Sequence, residues 1–97
     1  MADVWQLKRA GDDVALEKAL LDLVQMTEAE SRASGWGVAP AWYEELAILY
    51  RKRKDHRAEV AILERFASQR HAPGVKPPQL LERLDKARAL LAESQRG

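Results

Sequence analysis

Cysteine is absent from the 97 residues. No disulfide framework, thiolate metal site, iron–sulfur cluster or cysteine nucleophile can therefore be built. Strand-favouring residues are scarce, with six Val, two Ile, one Thr and one Phe. No segment alternates apolar and polar positions for the length of a strand, so a sheet is not expected. Long hydrophobic runs are missing too. The longest uncharged stretch, residues 33–43, is broken by Gly35, Gly37 and Pro40, whereas a membrane span needs ~20 mostly apolar residues. The residues after Met1 include Asp3, Lys8 and Arg9 and form no secretory core. We expect a soluble, cytoplasmic protein without membrane association.

What is present is a globular composition, 46% hydrophobic and 32% charged, on a chain long enough for one domain over residues 1–97. The net charge of +1 hides an asymmetry. Residues 1–50 hold four bases against nine acids, and residues 51–97 hold twelve bases against six acids. The two halves can pair inside one protomer, or they can steer self-association or an acidic partner. Pairing within the protomer is the simpler expectation.

Apolar spacing and the abundance of Ala, Leu, Glu, Lys, Arg and Gln predict helices almost throughout. A first segment from about Asp3 presents Val4, Trp5 and Leu7 and stops at Gly11. Asp12 or Asp13 then caps a long helix with the stripe Leu16, Ala19, Leu20, Leu23, Val24 and Met26. Gly35-Trp36-Gly37 breaks it, and Pro40 suits the first turn of a third helix carrying Trp42, Tyr43, Leu46, Ala47, Leu49 and Tyr50. Asp55 opens a fourth helix with Val60, Ile62, Leu63 and Phe66. After Pro73-Gly74 and Pro77-Pro78, a fifth holds Leu80, Leu84, Ala87 and Leu91, and residues 94–97 are expected to fray. Short connections make successive helices antiparallel neighbours. The expected fold is all-α: one hairpin over residues 3–33, a second over 40–70, and a capping helix over 77–93.

A repeat lies in the turns. At a constant offset of 43, Asp12 matches Asp55, Ala15 matches Ala58, Leu20 matches Leu63, and Ala19 and Leu23 face Ile62 and Phe66. Stacked helical hairpins produce such a register. In the second hairpin Tyr43, Leu46, Ala47 and Tyr50 fall on one helix, Lys54-Asp55-His56 forms the turn, and Leu63 and Phe66 follow. Over about residues 2–70 this pattern resembles the tetratricopeptide-repeat family. It departs from that family in having Lys54 for the turn glycine, Glu59 at a small-residue position, and Pro73 where the closing proline comes too late.

The resemblance implies binding of a peptide or partner helix in a groove lined by the first helix of each hairpin. By position the groove residues are Glu44, Ile48, Arg51, Lys52 and, next to them, Arg53, with Arg51 and Lys52 placed to hold a carboxylate or an acidic segment. The bland alternative is that these cations solvate a helix C-terminus.

Five bases among residues 51–57 support a second reading as a nucleic-acid-associated regulator. They straddle a helix–turn–helix corner, however, without a Gly-rich loop or aromatic pair. A third reading is a self-assembling subunit. Leu80, Leu84 and Leu91 form a short seam that either covers the second hairpin's flank or makes a homodimer. Trp36 either plugs the hairpin end or anchors an interface, plugging being the expected role, and Trp5, Trp42 and Tyr43 are expected to pack between helices. His56 and His71 stand fifteen residues apart without metal-ligand spacing, and no serine sits in a nucleophile-elbow context. No enzyme, metal or cofactor is expected.

Overall fold

The computed structural model describes residues 3–96 and consists of five α-helices: α1 Val4–Ala10, α2 Asp13–Ser34, α3 Pro40–Lys52, α4 His56–Ala67 and α5 Lys76–Gln95. No strand occurs among the described residues. Each helix packs on the next, and α5 also returns to touch α3. The result is a flat body of 44 × 31 × 19 Å.

The helix ends follow from the residues at them. Asp3 caps α1 through a capping box with Gln6. The carboxylates of Asp12 and Asp55 accept from Ala15 N and Ala58 N at 3.2 and 3.1 Å, opening α2 and α4 in the same way. Pro40 stands at the start of α3, and a proline lies in the first turn of α5.

The 43-residue repeat extends to the backbone of the two turns. Gly11 N donates to Lys8 O and Asp12 N to Leu7 O, while Lys54 N donates to Arg51 O and Asp55 N to Tyr50 O. Both turns thus close their helix with the same pair of reversed bonds, a Schellman arrangement that requires a left-handed residue. Gly11 supplies it at φ 74°, and Lys54 supplies it at φ 58°. Gly37 meets a stricter demand. At φ +96°, a Cβ there would lie 2.6 Å from Ala72 N, because Val38 N donates to Arg70 O across the same gap. The α2–α3 link is thereby bonded to the α4–α5 loop, and Arg70 Nη1 reinforces it by donating to Gly35 O at 3.0 Å.

The core runs along α2, α3, α4 and α5: Leu20, Val24, Tyr43, Leu46, Leu63, Phe66 and Leu80 are fully enclosed. Tyr43 and Phe66 meet at 5.2 Å, and His71 stacks on the other side of Phe66 at 4.1 Å. Leu80 and Leu84 are 1% and 4% exposed, so the seam of α5 covers the second hairpin and is not a free dimer surface. Leu91 is half-buried against the same core.

Two expectations need correction, Trp36 and the C-terminal residues. Trp36 plugs nothing: it is 79% exposed, because the glycines beside it hold the link flat against residues 70–72. Trp5 packs between helices against Trp42, as expected, but stays 43% exposed on a helix too short to be enclosed. The helix persists through Ser94 and Gln95, with Ser94 Oγ donating to Leu91 O; Gly97, also expected to fray, lies outside the described residues.

Two outcomes follow. Replacing Lys54 by glycine relieves a left-handed strain of about 1–2 kcal/mol against a glycine entropy cost of about 0.5–1 kcal/mol. A gain of about 0.5–1 kcal/mol in the urea-unfolding free energy is therefore expected, and a loss would contradict the matched-turn account. Leu84→Glu buries an unpaired charge at a cost above about 3 kcal/mol. It should unfold the chain by circular dichroism, whereas folded monomers released from a dimer would return Leu84 to a surface.

Candidate functional site

Three of the five cations of the basic turn are already engaged. Arg51 Nε donates to Glu59 Oε1 at 3.1 Å, and its Nη2 lies 2.7 Å from Glu59 Oε2. Glu59 is completely buried and also faces Arg83 Nε at 3.4 Å. Lys52 Nζ reaches Asp13 at 3.4 Å, and Arg53 Nη1 reaches Glu17 at 2.6 Å. Glu44 holds Lys76 at 2.7 Å. Of the expected groove residues, only Ile48, 39% exposed, faces solvent without a charge partner.

Nor do these residues form one groove. Glu44 and Arg51 line a polar cleft between α3 and α5 with Arg83 and Lys86, whereas Ile48 and Lys52 line a small hollow facing Lys8 and Asp13. Arg53 borders neither. Lys54 and Arg57 are the bases of the turn left without a salt bridge among the described residues. No group of three His, Asp or Glu that could hold a metal ion occurs among them, and no helix is long and apolar enough to cross a membrane.

Acids from α2 are spent on α3 and α4 in the same manner. Tyr43 Oη donates to Glu28 Oε2 at 2.8 Å, and Arg65 grips both oxygens of that carboxylate at 2.8 Å. Eleven residues earlier on α2, Glu17 accepts from Tyr50 Oη at 2.9 Å and from Arg53. The Arg65 hydrogen bonds hold Glu28 below the usual carboxylate range against the opposing effect of its burial, and Arg53 does the same for Glu17. Burial, followed by the bond to a carboxylate, raises both tyrosines above their ordinary value.

The unspent surface lies elsewhere. A trough of about 460 Å³ opens between α1, α2 and α3, lined by Val4, Trp5, Ala19, Leu23, Met26 and Trp42, with Asp3 and Asp22 at its rim. It exists because α1 has seven residues and α2 has 22. Antiparallel to α2, α1 covers only about its first third. Beyond Val4 the outer stripe Ala19, Asp22, Leu23 and Met26, spaced i, i+3, i+4, i+7, is only partly covered: Ala19 and Leu23 are half-buried against the core, while Asp22 and Met26 are exposed. Trp5 and Trp42 close one end, 6.4 Å apart and tilted by 41°. Lys8 Nζ stands 5.8 Å from the Trp5 ring and binds Glu45 at 2.8 Å, fixing α1 onto α3.

The apolar spacing places Trp5, Leu23, Met26 and Trp42 in packing; Leu23 and Trp42 do pack against the core, yet all four also line the trough. The signal that separates them is the width of the α2 stripe. Its inner edge, Leu16, Leu20 and Val24, is buried, while Met26 on the outer edge is 57% exposed. No protein-family model, curated protein or solved structure matches this chain.

Acid should expose the Glu28 network. A carboxylate whose pKa is depressed in the folded state stabilises fully above its unfolded value of about 4.3. That contribution is lost as pH falls through the lower folded value. Unfolding free energy should therefore decline on acidification below about pH 4.5, and more shallowly in Glu28→Gln, which has no charge to lose. Equal slopes for the two proteins, followed by denaturant titration at each pH, would show that the pair contributes nothing.

Proposed function

We propose that the chain is a small, non-catalytic interaction module, a degenerate relative of tetratricopeptide-type hairpin stacks, that holds a partner protein's helix or peptide in the trough between α1, α2 and α3. The observation that supports this most directly is the stripe of apolar side chains on α2 and α3 left uncovered by the short α1. A contiguous apolar surface with two tryptophans at its edge is the kind of patch that soluble proteins use for association. Its wall is stiff, since Trp42 is followed directly by Tyr43, whose ring is fully buried and whose hydroxyl is tied to Glu28. Cytoplasmic residence accords with a chain that lacks cysteine.

The paired state of Arg51, Lys52 and Arg53 argues against an acidic ligand or a nucleic-acid backbone as the partner at the turn. Releasing any one of them takes a cation from a carboxylate, and for Arg51 that carboxylate is buried and left with Arg83 alone at 3.4 Å.

Affinity capture with the wild-type chain, Met26→Glu and Arg57→Glu tests the reading. Both replaced side chains are exposed, so circular dichroism should be unchanged. A protein retained by wild type and by Arg57→Glu is expected to be lost from Met26→Glu. Retention of the same protein by Met26→Glu, or its loss only from Arg57→Glu, would place recognition at the basic turn instead.

A further inference from the structure

Resting on that reading of the trough, we infer that its occupant is a basic amphipathic helix from another protein, laid along the middle of α2 beside Trp5 and Trp42. Three observations define it.

The first is shape. The stripe Ala19, Asp22, Leu23 and Met26 runs along the middle of α2 and forms the floor of the trough beside Val4 and Trp5 of α1 and Trp42 of α3. A helix segment of about two to three turns matches such a strip. An extended strand finds no edge to pair with, because every element here is helical.

The second is α1 itself, which shows how a helix sits on this surface. It buries Val4, packs Leu7 against the core, and sends the cation of Lys8 outward to a carboxylate on α3.

The third is charge. Asp22 stands exposed at the rim, outside every salt bridge and side-chain hydrogen bond among the described residues. Asp3 spends its carboxylate on the α1 cap without meeting a cation. A Lys or Arg on the incoming helix, one turn from its apolar face, completes at Asp22 the contact that Lys8 makes at Glu45.

A second copy of this chain fits less well. Two troughs placed face to face bring Asp3 and Asp22 of each copy against one another. A head-to-tail stack sets the trough against the outer side of α5, where Glu82, Asp85, Lys86 and Arg88 are exposed.

A display library of helical peptides about 14 residues long, panned on the intact chain, reads this directly. Enriched peptides should carry an apolar stripe at i, i+3/i+4, i+7 flanked by Lys or Arg and should lose binding to Met26→Glu. On Asp22→Lys the same peptides should bind about tenfold more weakly, and a fresh selection should enrich Glu or Asp at the flanking position. Peptides that bind in a Met26-dependent way without basic bias, and without response to Asp22→Lys, would leave the trough as the docking site and overturn its basic partner. Enrichment of nothing, or of peptides indifferent to Met26→Glu, would overturn both. A dimer in sedimentation that dissociates in Met26→Glu would assign the trough to a second copy and overturn the inference as well.

Discussion

Helix α3 is held by carboxylates that arrive from its neighbours on both sides. Glu28 and Glu17 of α2 accept the hydroxyls of Tyr43 and Tyr50, while Glu59 of α4 meets Arg51 at the other edge. Each of these acids also binds a further partner that is a cation: Arg65, Arg53 and Arg83 in turn. The spacing of α2, α3, α4 and α5 is set by these contacts as much as by the apolar core between them, and they consume the charge asymmetry of the chain. Acids of the first half meet bases of the second at Glu17–Arg53, Glu28–Arg65, Asp13–Lys52 and Glu44–Lys76. A surface that looks strongly basic along the sequence is in three dimensions mostly neutralised.

Glu59 is the least expected member of the set. Its counterpart at the 43-residue offset is Leu16, equally buried, so the position tolerates an apolar side chain and the carboxylate is not there for packing. Buried ion pairs seldom stabilise more than a hydrophobic residue of the same volume would, but breaking one by removing a partner is costly. The physical consequence is specificity. With Arg51 on α3 and Arg83 on α5 both aimed at one enclosed carboxylate, any slip of these three helices past one another strands a charge.

Local chemistry was legible in the sequence, and so was the pairing of an acidic first half with a basic second half; which residues pair was not. Asp12 and Asp55 announce their caps, Pro40 its helix start, and Gly11 its left-handed turn, because each acts within a few residues of itself. The constant offset even locates Lys54 as the residue forced into the conformation that Gly11 adopts freely. By contrast, the seam of Leu80, Leu84 and Leu91 has the same spacing whether it meets α4 or a second chain, and only the observed burial of Leu80 and Leu84 separates the two. Arg51, Lys52 and Arg53 read as free cations because their partners lie 8, 39 and 36 residues away. Trp5 and Trp42 read as packing between helices; that they also line an open trough did not show, because an apolar side chain does not reveal whether anything covers it.

The short first helix links the fold to the proposed function. A seven-residue helix is far below the length at which helices persist by themselves, and α1 buries only Val4. It therefore depends on its capping box, on Trp5 against Trp42, and on Lys8 reaching Glu45. The two walls of the trough consequently differ in stiffness. The α2–α3 wall is fixed by the enclosed Tyr43–Glu28–Arg65 network. The α1 wall has few buried contacts and belongs to the low-stability end of the molecule, where local opening is least costly. A partner helix that packs beside Leu23 and Met26 and abuts Trp5 adds contacts to the helix that has fewest of them. Binding and local ordering of α1 then reinforce each other, so the element whose shortness opens the trough is also the one that occupancy would most stabilise.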